Sequence, residues 1–436
     1  MIEFAPSPRL SRRRILKSVG LAAAGLWAGG GARALPASAD EVPALRIIRA
    51  QPGKATLSGD AGSTDIWGYD GAAPGPLLRV KRGTEVQVRL VNELPEPTCV
   101  HWHGVHVPNA MDGVPGLTQA PIAPGASFDY RFTPPDAGTF WYHAARDFAG
   151  QLGRGLAGAL LVEEGSPVDV DRDVTILLSD WRPSEGAIEG AALPHLTANG
   201  APRLELAVAT NERLRLRLVN AAARALVVRI ERHQPVVMAI DGEPAEPFAA
   251  RGGRVALAPG NRVDLFIDAT LSPGDSAAIT VAIAGSEVDL ARLVYADAPP
   301  ARAAPRPDPA PLPDNPLPRR IDLTHALKVD VPLPAGTATA PGSGRPLFSL
   351  PRGRAALLGL LNRTDQAMAV HVHGHHFRLL DRLDDGWKPF WLDTLLVPAG
   401  QSDHVAFVAD NPGKWQIEAQ PLGAAGGASP GWFEVT

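Results

Sequence analysis

The sequence predicts an all-β chain built from three copies of one unit. Three observations carry that reading. Turn formers are abundant, with 44 Gly and 43 Pro in 436 residues. Apolar and polar residues alternate over short runs bounded by turns about every 8–12 residues, the pattern of half-buried strands, and no long helical periodicity competes with it. A strand ending at Asn also recurs. It reads Val86-Gln87-Val88-Arg89-Leu90-Val91-Asn92, then Leu214-Arg215-Leu216-Arg217-Leu218-Val219-Asn220, and more weakly Ala356-Leu357-Leu358-Gly359-Leu360-Leu361-Asn362.

Counting forward from each Asn aligns the units. Nine and eleven residues after Asn92 stand His101 and His103, and the same steps from Asn362 reach His371 and His373. From Asn220 they reach Arg229 and Glu231, so the middle unit lacks the histidines. A later turn also repeats, as Ala123-Pro124-Gly125, Ala258-Pro259-Gly260 and Pro398-Ala399-Gly400. After it, Gly138 leads to Trp141-Tyr142-His143 and Gly413 leads to Trp415-Gln416-Ile417-Glu418, which puts Glu418 in the slot of His143 and Gln420 in that of Ala145. Domains are therefore expected at 42–165, 168–297 and 319–436, with a proline-rich linker at 298–318 that should be extended and semi-rigid.

His-x-His on a strand turns both imidazoles to one face, because side chains alternate with period 2. Two such strands facing each other make a four-histidine wall, a donor set that suits copper, zinc or iron. The plainer alternative is a hydrogen-bonded polar seam between the first and third units. Metal is favoured because buried polar groups left unpaired cost about 1–3 kcal/mol each. Cys99 reads as a buried thiol, His375 as an outer neighbour of the histidine wall, and Met368 as core filling. His106, His195, His233, His325 and His404 read as isolated surface or packing residues. Gly153-Arg154-Gly155-Leu156-Ala157-Gly158 spells a dinucleotide fingerprint without the strand–helix setting that fingerprint needs, and it is set aside.

The chain opens with Ser11-Arg12-Arg13-Arg14-Ile15-Leu16-Lys17, a Gly/Ala-rich apolar run, and Ala37-Ser38-Ala39. That order describes an export signal over 1–39, and its paired arginines resemble the twin-arginine type, so a periplasmic protein is expected. Without those residues 36 basic side chains face 45 acidic ones, a net charge of −9. Such a balance argues against nucleic acid or an anionic membrane as partner. No second long apolar run predicts a span in the mature protein. One cysteine excludes an internal disulfide.

In order along the chain, His101-Trp102-His103-Gly104, Asp112-Gly113-Val114-Pro115, Trp141-Tyr142-His143, Gly155-Leu156-x-Gly158-Ala159, His371-Val372-His373-Gly374-His375 and Asp393-Thr394 resemble the multicopper oxidases. The resemblance covers nearly all of the chain after the leader. It implies three tandem cupredoxin-like Greek-key β-sandwich or barrel domains. It also implies three coppers between the first and last domains on eight histidines, and a blue type 1 copper in the last domain that feeds them electrons for reduction of O2. Here the family pattern breaks. Met368 stands where the family places a type 1 histidine, Glu418-Ala419-Gln420 replaces the His-Cys-His strand, and the following histidine position falls in Ala424–Ala428.

Five of the eight cluster histidines are kept. By correspondence His101 and His371 form the type 2 pair, His103 and His143 serve one type 3 copper, and His373 serves the other, with Glu418 as an oxygen ligand or as an acceptor for an imidazole N–H. Asp112 matches a family position that relays protons; its plain role is turn chemistry in Asp-Gly. The expectation is an exported protein holding one or two copper ions at a reduced cluster, unable to act as an ordinary laccase. The alternatives are a copper-dependent oxidoreductase that meets O2 or a small reductant without type 1 copper, and a metal-free periplasmic scaffold like the copper-less cell-division relative.

Overall fold

The computed structural model describes residues 45–57, 63–145, 150–181, 195–283, 285–334, 342, 344–381, 386–387, 390–423 and 428–436. These lie in one compact unit, Pro43–Thr436. The expected export signal at 1–39 and the run Ala424–Gly427 lie outside the described residues.

The expected fold class holds: strands dominate, and the helical elements among the described residues are three short 3-10 turns. Six sheets pair into three sandwiches. In the first, Thr64–Tyr69, Arg46–Ala55, Val86–Asn92 and Ser127–Phe132 face Leu78–Lys81, Ala157–Glu163, Gly138–Ala144 and Val100–His103, in those orders. Apart from Arg46–Ala55 with Thr64–Tyr69 and Gly138–Ala144 with Ala157–Glu163, neighbours in these sheets are not consecutive strands of the chain, so strands cross between layers. The parallel pair of Arg46–Ala55 with Val86–Asn92 recurs as Arg172–Asp180 with Glu212–Asn220 and as Leu327–Pro332 with Ala355–Leu361. Each sandwich has its own apolar core, around Leu90, Trp102 and Phe140, then Leu216, Val228 and Leu265, then Leu358, Val370 and Trp415.

The repeated Asn has a physical cause. Its amide bonds the backbone at the corner where the chain leaves one sheet for the other. Asn92 Nδ2 donates to Glu96 O (2.9 Å) and Ile122 O (2.8 Å), and its Oδ1 accepts from Leu94 N–H (3.0 Å). Asn220 does the same with Arg224, Leu257 and Ala222, and Asn362 with Gln366, Val397 and Thr364. All three are buried. A fixed corner after each strand is what sets the next strand, and hence each His-x-His, at a constant distance from the Asn.

Strand Glu212–Asn220 alternates as expected, but its polar face is not wet. Arg213, Arg215 and Arg217 are each 1% exposed. Arg215 pairs with Asp264 (2.6 Å) and with Glu164 of the first sandwich (2.6 Å), and Arg217 bonds Asp173 (2.7 Å) and Thr139 Oγ1 (2.9 Å). Arg213 pairs with Asp268 (2.7 Å) and donates to Pro307 O (2.7 Å). The proline-rich segment is therefore pinned along the second sandwich. Asp171 gathers Arg302, Arg306 (2.7 Å) and the Arg213 N–H (2.7 Å). Partial burial raises the Asp171 pKa, and the hydrogen bonds of Arg302 and Arg306 outweigh it, holding the carboxyl well below its usual range.

A depressed carboxylate stabilises the fold above its unfolded-state pKa of about 3.9 and loses that contribution as pH falls through the lower folded value. Asp171→Asn should then cost about 1–2 kcal/mol near pH 7, since part of the cluster meets solvent. Urea denaturation at neutral pH and near pH 3 reads the gap between parent and variant, which should shrink in acid. A gap independent of pH would refute the linkage.

Candidate metal centre

Antiparallel registers set the histidines. Strand Val100–His103 pairs with Gly138–Ala144 so that His101 stands opposite His143. Strand Met368–Val372 pairs with Gly413–Pro421 so that His371 stands opposite Glu418. His373 follows, its N–H on Gln416 O at 3.1 Å. The two ribbons meet face to face, and all five histidines are at most 4% exposed.

Their ring nitrogens converge in pairs. His101 Nε2 lies 3.3 Å from His371 Nε2, and His103 Nδ1 lies 3.3 Å from His143 Nε2. His373 Nε2 lies 3.6 Å from Glu418 Oε2 and has no hydrogen-bond partner. The rings of His103 and His371 stack at 3.8 Å, and those of His101 and His373 sit 4.0 Å apart. Two groupings, His101/His371/His373 and His101/His103/His143, each bring one donor atom per residue within 4.8 Å of the others.

The outward nitrogens are held. His101 Nδ1–H and His371 Nδ1–H meet the backbone oxygens of Asp112 and Asp393, both at 2.9 Å. His103 Nε2 meets Thr394 Oγ1 at 2.9 Å, and His143 Nδ1 meets Ala144 O at 3.0 Å. The Asp112 carboxylate, 1% exposed, lies 3.1 Å from His373 Nδ1 and 3.2 Å from His101 Nδ1. It ties one histidine of each ribbon together, which goes beyond turn chemistry.

The middle sandwich supplies no histidine, yet it braces the seam. Arg262 is fully buried and grips Asp393 with two bonds (2.8 and 2.5 Å). It also donates to Thr139 O (3.1 Å), Gly260 O (3.1 Å) and Asp241 O (2.8 Å), so one guanidinium ties three sandwiches. Asp393 in turn lies 3.4 Å from both His103 Nε2 and His371 Nδ1. Gly260, at φ +87°, passes so close that an added Cβ would sit 2.9 Å from the His103 ring. Sequence reasoning missed Arg262 because Arg262-Val263-Asp264-Leu265 alternates like any solvent-facing strand.

Burial, then neighbouring imidazoles, lowers the pKa of His143 to about 3 and of His103 well below its usual value. Burial leads the drop of His371 to about 4, with His373 and His101 adding to it against the pull of Asp393. Neutral imidazole is the form that binds metal. His373 differs: burial lowers it, but Asp112 and Glu418 outweigh that and raise it to about 9. Glu418 is raised by burial and pulled down by His373 to about 2.

Other sequence-selected residues fall elsewhere. Met368 is core, opposite Val397 and Pro421 in the sheet. Cys99 is buried just before its strand, with Gln119 Nε2 3.5 Å from the sulfur. His375 packs on Phe407, Trp415 and Phe433. Ala145 directly follows strand Gly138–Ala144, and its N–H donates to Cys99 O (3.1 Å). His106 corrects an expectation, since it is not isolated: its Nδ1 lies 2.5 Å from the buried Asp136 carboxylate and its ring meets His376 edge-on at 4.7 Å.

Copper-family donors fit this centre. Ligand atoms about 2.0–2.1 Å from a tetrahedral ion lie about 3.3 Å apart, which is the spacing of both facing nitrogen pairs. Anchored outer nitrogens are the usual support for such ligands. The fold and the convergent imidazoles define a multidomain cupredoxin metalloprotein.

Comparison narrows the class. Residues 51–167, 172–282 and 314–421 each match the multicopper oxidase family. Lac15 from a marine microbial metagenome is similar over 90% of this chain and 100% of its own, at 34% identity and a TM-score of 0.78. A multi-copper oxidase from Pseudomonas Thermotolerans is 32% identical over 89% of this chain and 98% of its own, with a TM-score of 0.77. Multicopper oxidase MmcO of Mycobacterium tuberculosis is 28% identical over 88% of this chain and 87% of its own length. The chain belongs to the multicopper oxidases, and copper is its expected metal. No helix among the described residues is long and apolar enough to cross a membrane.

Proposed function

We propose that this is an exported, periplasmic copper protein whose reduced cluster, between the first and third sandwiches, holds one or two ions and does not work as an ordinary laccase. The observation that carries this reading is the pair of 3.3 Å nitrogen–nitrogen separations, one of which joins His101 of the first sandwich to His371 of the third. His101, His103, His143, His371 and His373 hold the metal, and Glu418 completes it on the His373 side. Bound copper supplies a redox-active Lewis acid. Asp112 orients His101 and His373 and offers a carboxylate for moving a proton at their Nδ1 atoms. Asp393 and Thr394 orient His371 and His103.

Loss of the type 1 centre is part of the proposal. It is supported by Met368, Glu418-Ala419-Gln420 and Ala424–Ala428 standing where the resemblance requires the electron-entry ligands. Export is supported by the twin arginines and the Ala37-Ser38-Ala39 end of the leader.

Elemental analysis and electron paramagnetic resonance of protein purified from the periplasm test this reading. One or two coppers per chain are expected, without the intense blue colour of a type 1 site. His101→Ala with His371→Ala should abolish the across-seam copper. A copper-free protein would point to the scaffold reading, and a strong blue band would refute type 1 loss.

A second reading has a specific observation behind it. A cleft of about 520 Å³ lined by Val237, Phe248, Phe390 and Leu392 reaches Arg262 and Thr394, the residues that brace His103. A small apolar reductant seated there could meet the cluster without a type 1 relay. Steady oxygen consumption with phenols or cuprous ion would favour that reading over passive binding.

A further inference from the structure

We infer a second metal site, separate from the histidine seam, in which His106, His376, Asp136 and Glu243 bind a divalent ion of the copper–zinc class. All three sandwiches contribute. His106 follows strand Val100–His103, Asp136 precedes strand Gly138–Ala144, Glu243 opens strand Glu243–Ala249, and His376 follows the second histidine pair. One donor atom from each of His106, Asp136 and His376 lies within 4.8 Å of the others. Glu243 Oε1 adds a fourth donor 3.6 Å from His376 Nε2.

The group is buried and under-satisfied. Asp136, Glu243 and His376 are 2%, 1% and 4% exposed. His106 Nε2, both ring nitrogens of His376, Asp136 Oδ1 and Glu243 Oε1 have no hydrogen-bond partner. Unsatisfied buried polar atoms cost about 1–3 kcal/mol apiece, so four adjoining residues that each carry one favour an ion taking one donor atom from each. Glu243 Oε2 is anchored as a metal ligand usually is, taking Asn315 Nδ2–H (3.0 Å), while His106 Nδ1 and Asp136 Oδ2 lie 2.5 Å apart across one proton that an incoming ion would displace.

Charge agrees. Asp136 and Glu243 face the cluster, and Asp393 Oδ2 lies 3.7 Å from His376 Nε2. Arg262, the cation at that boundary, is committed to Asp393. Asp393 stands between the two clusters, 3.4 Å from His103 and His371 and 3.7 Å from His376, and its carboxylate is held by Arg262. Imidazole and carboxylate without thiolate favour a divalent ion over cuprous copper. An open cleft of about 640 Å³ lined by His106, Asp136, Arg352 and Asp410 offers an entry path.

The test uses the whole chain and Zn2+ as probe, with Cu2+ in a parallel arm. Crystals of the parent soaked in Zn2+ should show an anomalous peak between His106 and His376, resolved from any peak at the seam. In solution, a variant with His101→Ala, His103→Ala and His371→Ala, which removes one partner of each seam pair, should keep one Zn2+ equivalent. His106→Ala should weaken that equivalent at least about 100-fold, and Asp136→Asn about 10–100-fold. Because the crystal experiment reads the two positions separately in the parent, failure of the seam leaves this site standing, and the reverse also holds. No peak at saturating Zn2+ or Cu2+, or an equivalent indifferent to His106→Ala, overturns the proposal.

Discussion

Arg262→Leu is expected to destabilise the protein by about 3–5 kcal/mol, the largest effect of any single substitution at the seam. Removing one partner from a buried ion pair leaves the other charge in a low-dielectric site, and that residual charge dominates the cost. Here the orphan is Asp393, 1% exposed, with Asp241 beside it at 0%. Burial raises the Asp393 pKa, but Arg262 outweighs it, and His103 and His371 add to the depression. The substitution also removes bonds to Thr139 O and Gly260 O, so the first and third sandwiches lose their shared tie to the second. Urea unfolding followed by fluorescence checks this. Arg262→Lys should recover little, because an ammonium cannot reproduce the two-pronged grip on a carboxylate. A loss under about 1 kcal/mol for Arg262→Leu would remove Arg262 from its bracing role.

Asp112→Asn is expected to lower copper affinity at the seam by about 10–100-fold while leaving the fold intact. The carboxylate accepts from His373 Nδ1 and lies within 3.2 Å of His101 Nδ1. A neutral amide of the same size can serve one imidazole N–H and turns a donor toward the other. Both histidines lose part of the orientation and basicity that a carboxylate confers on a ligand. Competition with a copper chelator measures the affinity, and thermal melting of the metal-free protein should move by no more than a few degrees. Unchanged affinity would assign Asp112 to the Asp-Gly turn alone.

The strands, their triplication and the shared face of each His-x-His were legible in the sequence, because they depend on period-2 alternation and on a corner Asn at constant spacing. Glu418 in the slot of His143 was legible for the same reason, since one repeat could be laid on the other; its place opposite His371 came from the strand register. Arg213, Arg215 and Arg217 were not. Alternation with Leu marks them as the outer face of a strand, and an outer face ordinarily meets water. His106 and His376 were missed because their partners, Asp136 and Glu243, come from elements distant in the chain, and no local spacing links them.

By itself the sequence determined local periodicity: which side chains lie on one face of a strand, where each strand turns, and which imidazoles are equivalent. Only the tertiary structure decided what covers each face. Sandwich-on-sandwich packing buried an arginine row, aimed a middle-unit guanidinium at Asp393, and brought four polar residues distant in the chain into one cluster. The reason is that backbone alternation sorts side chains into two directions but carries no information about what lies beyond them.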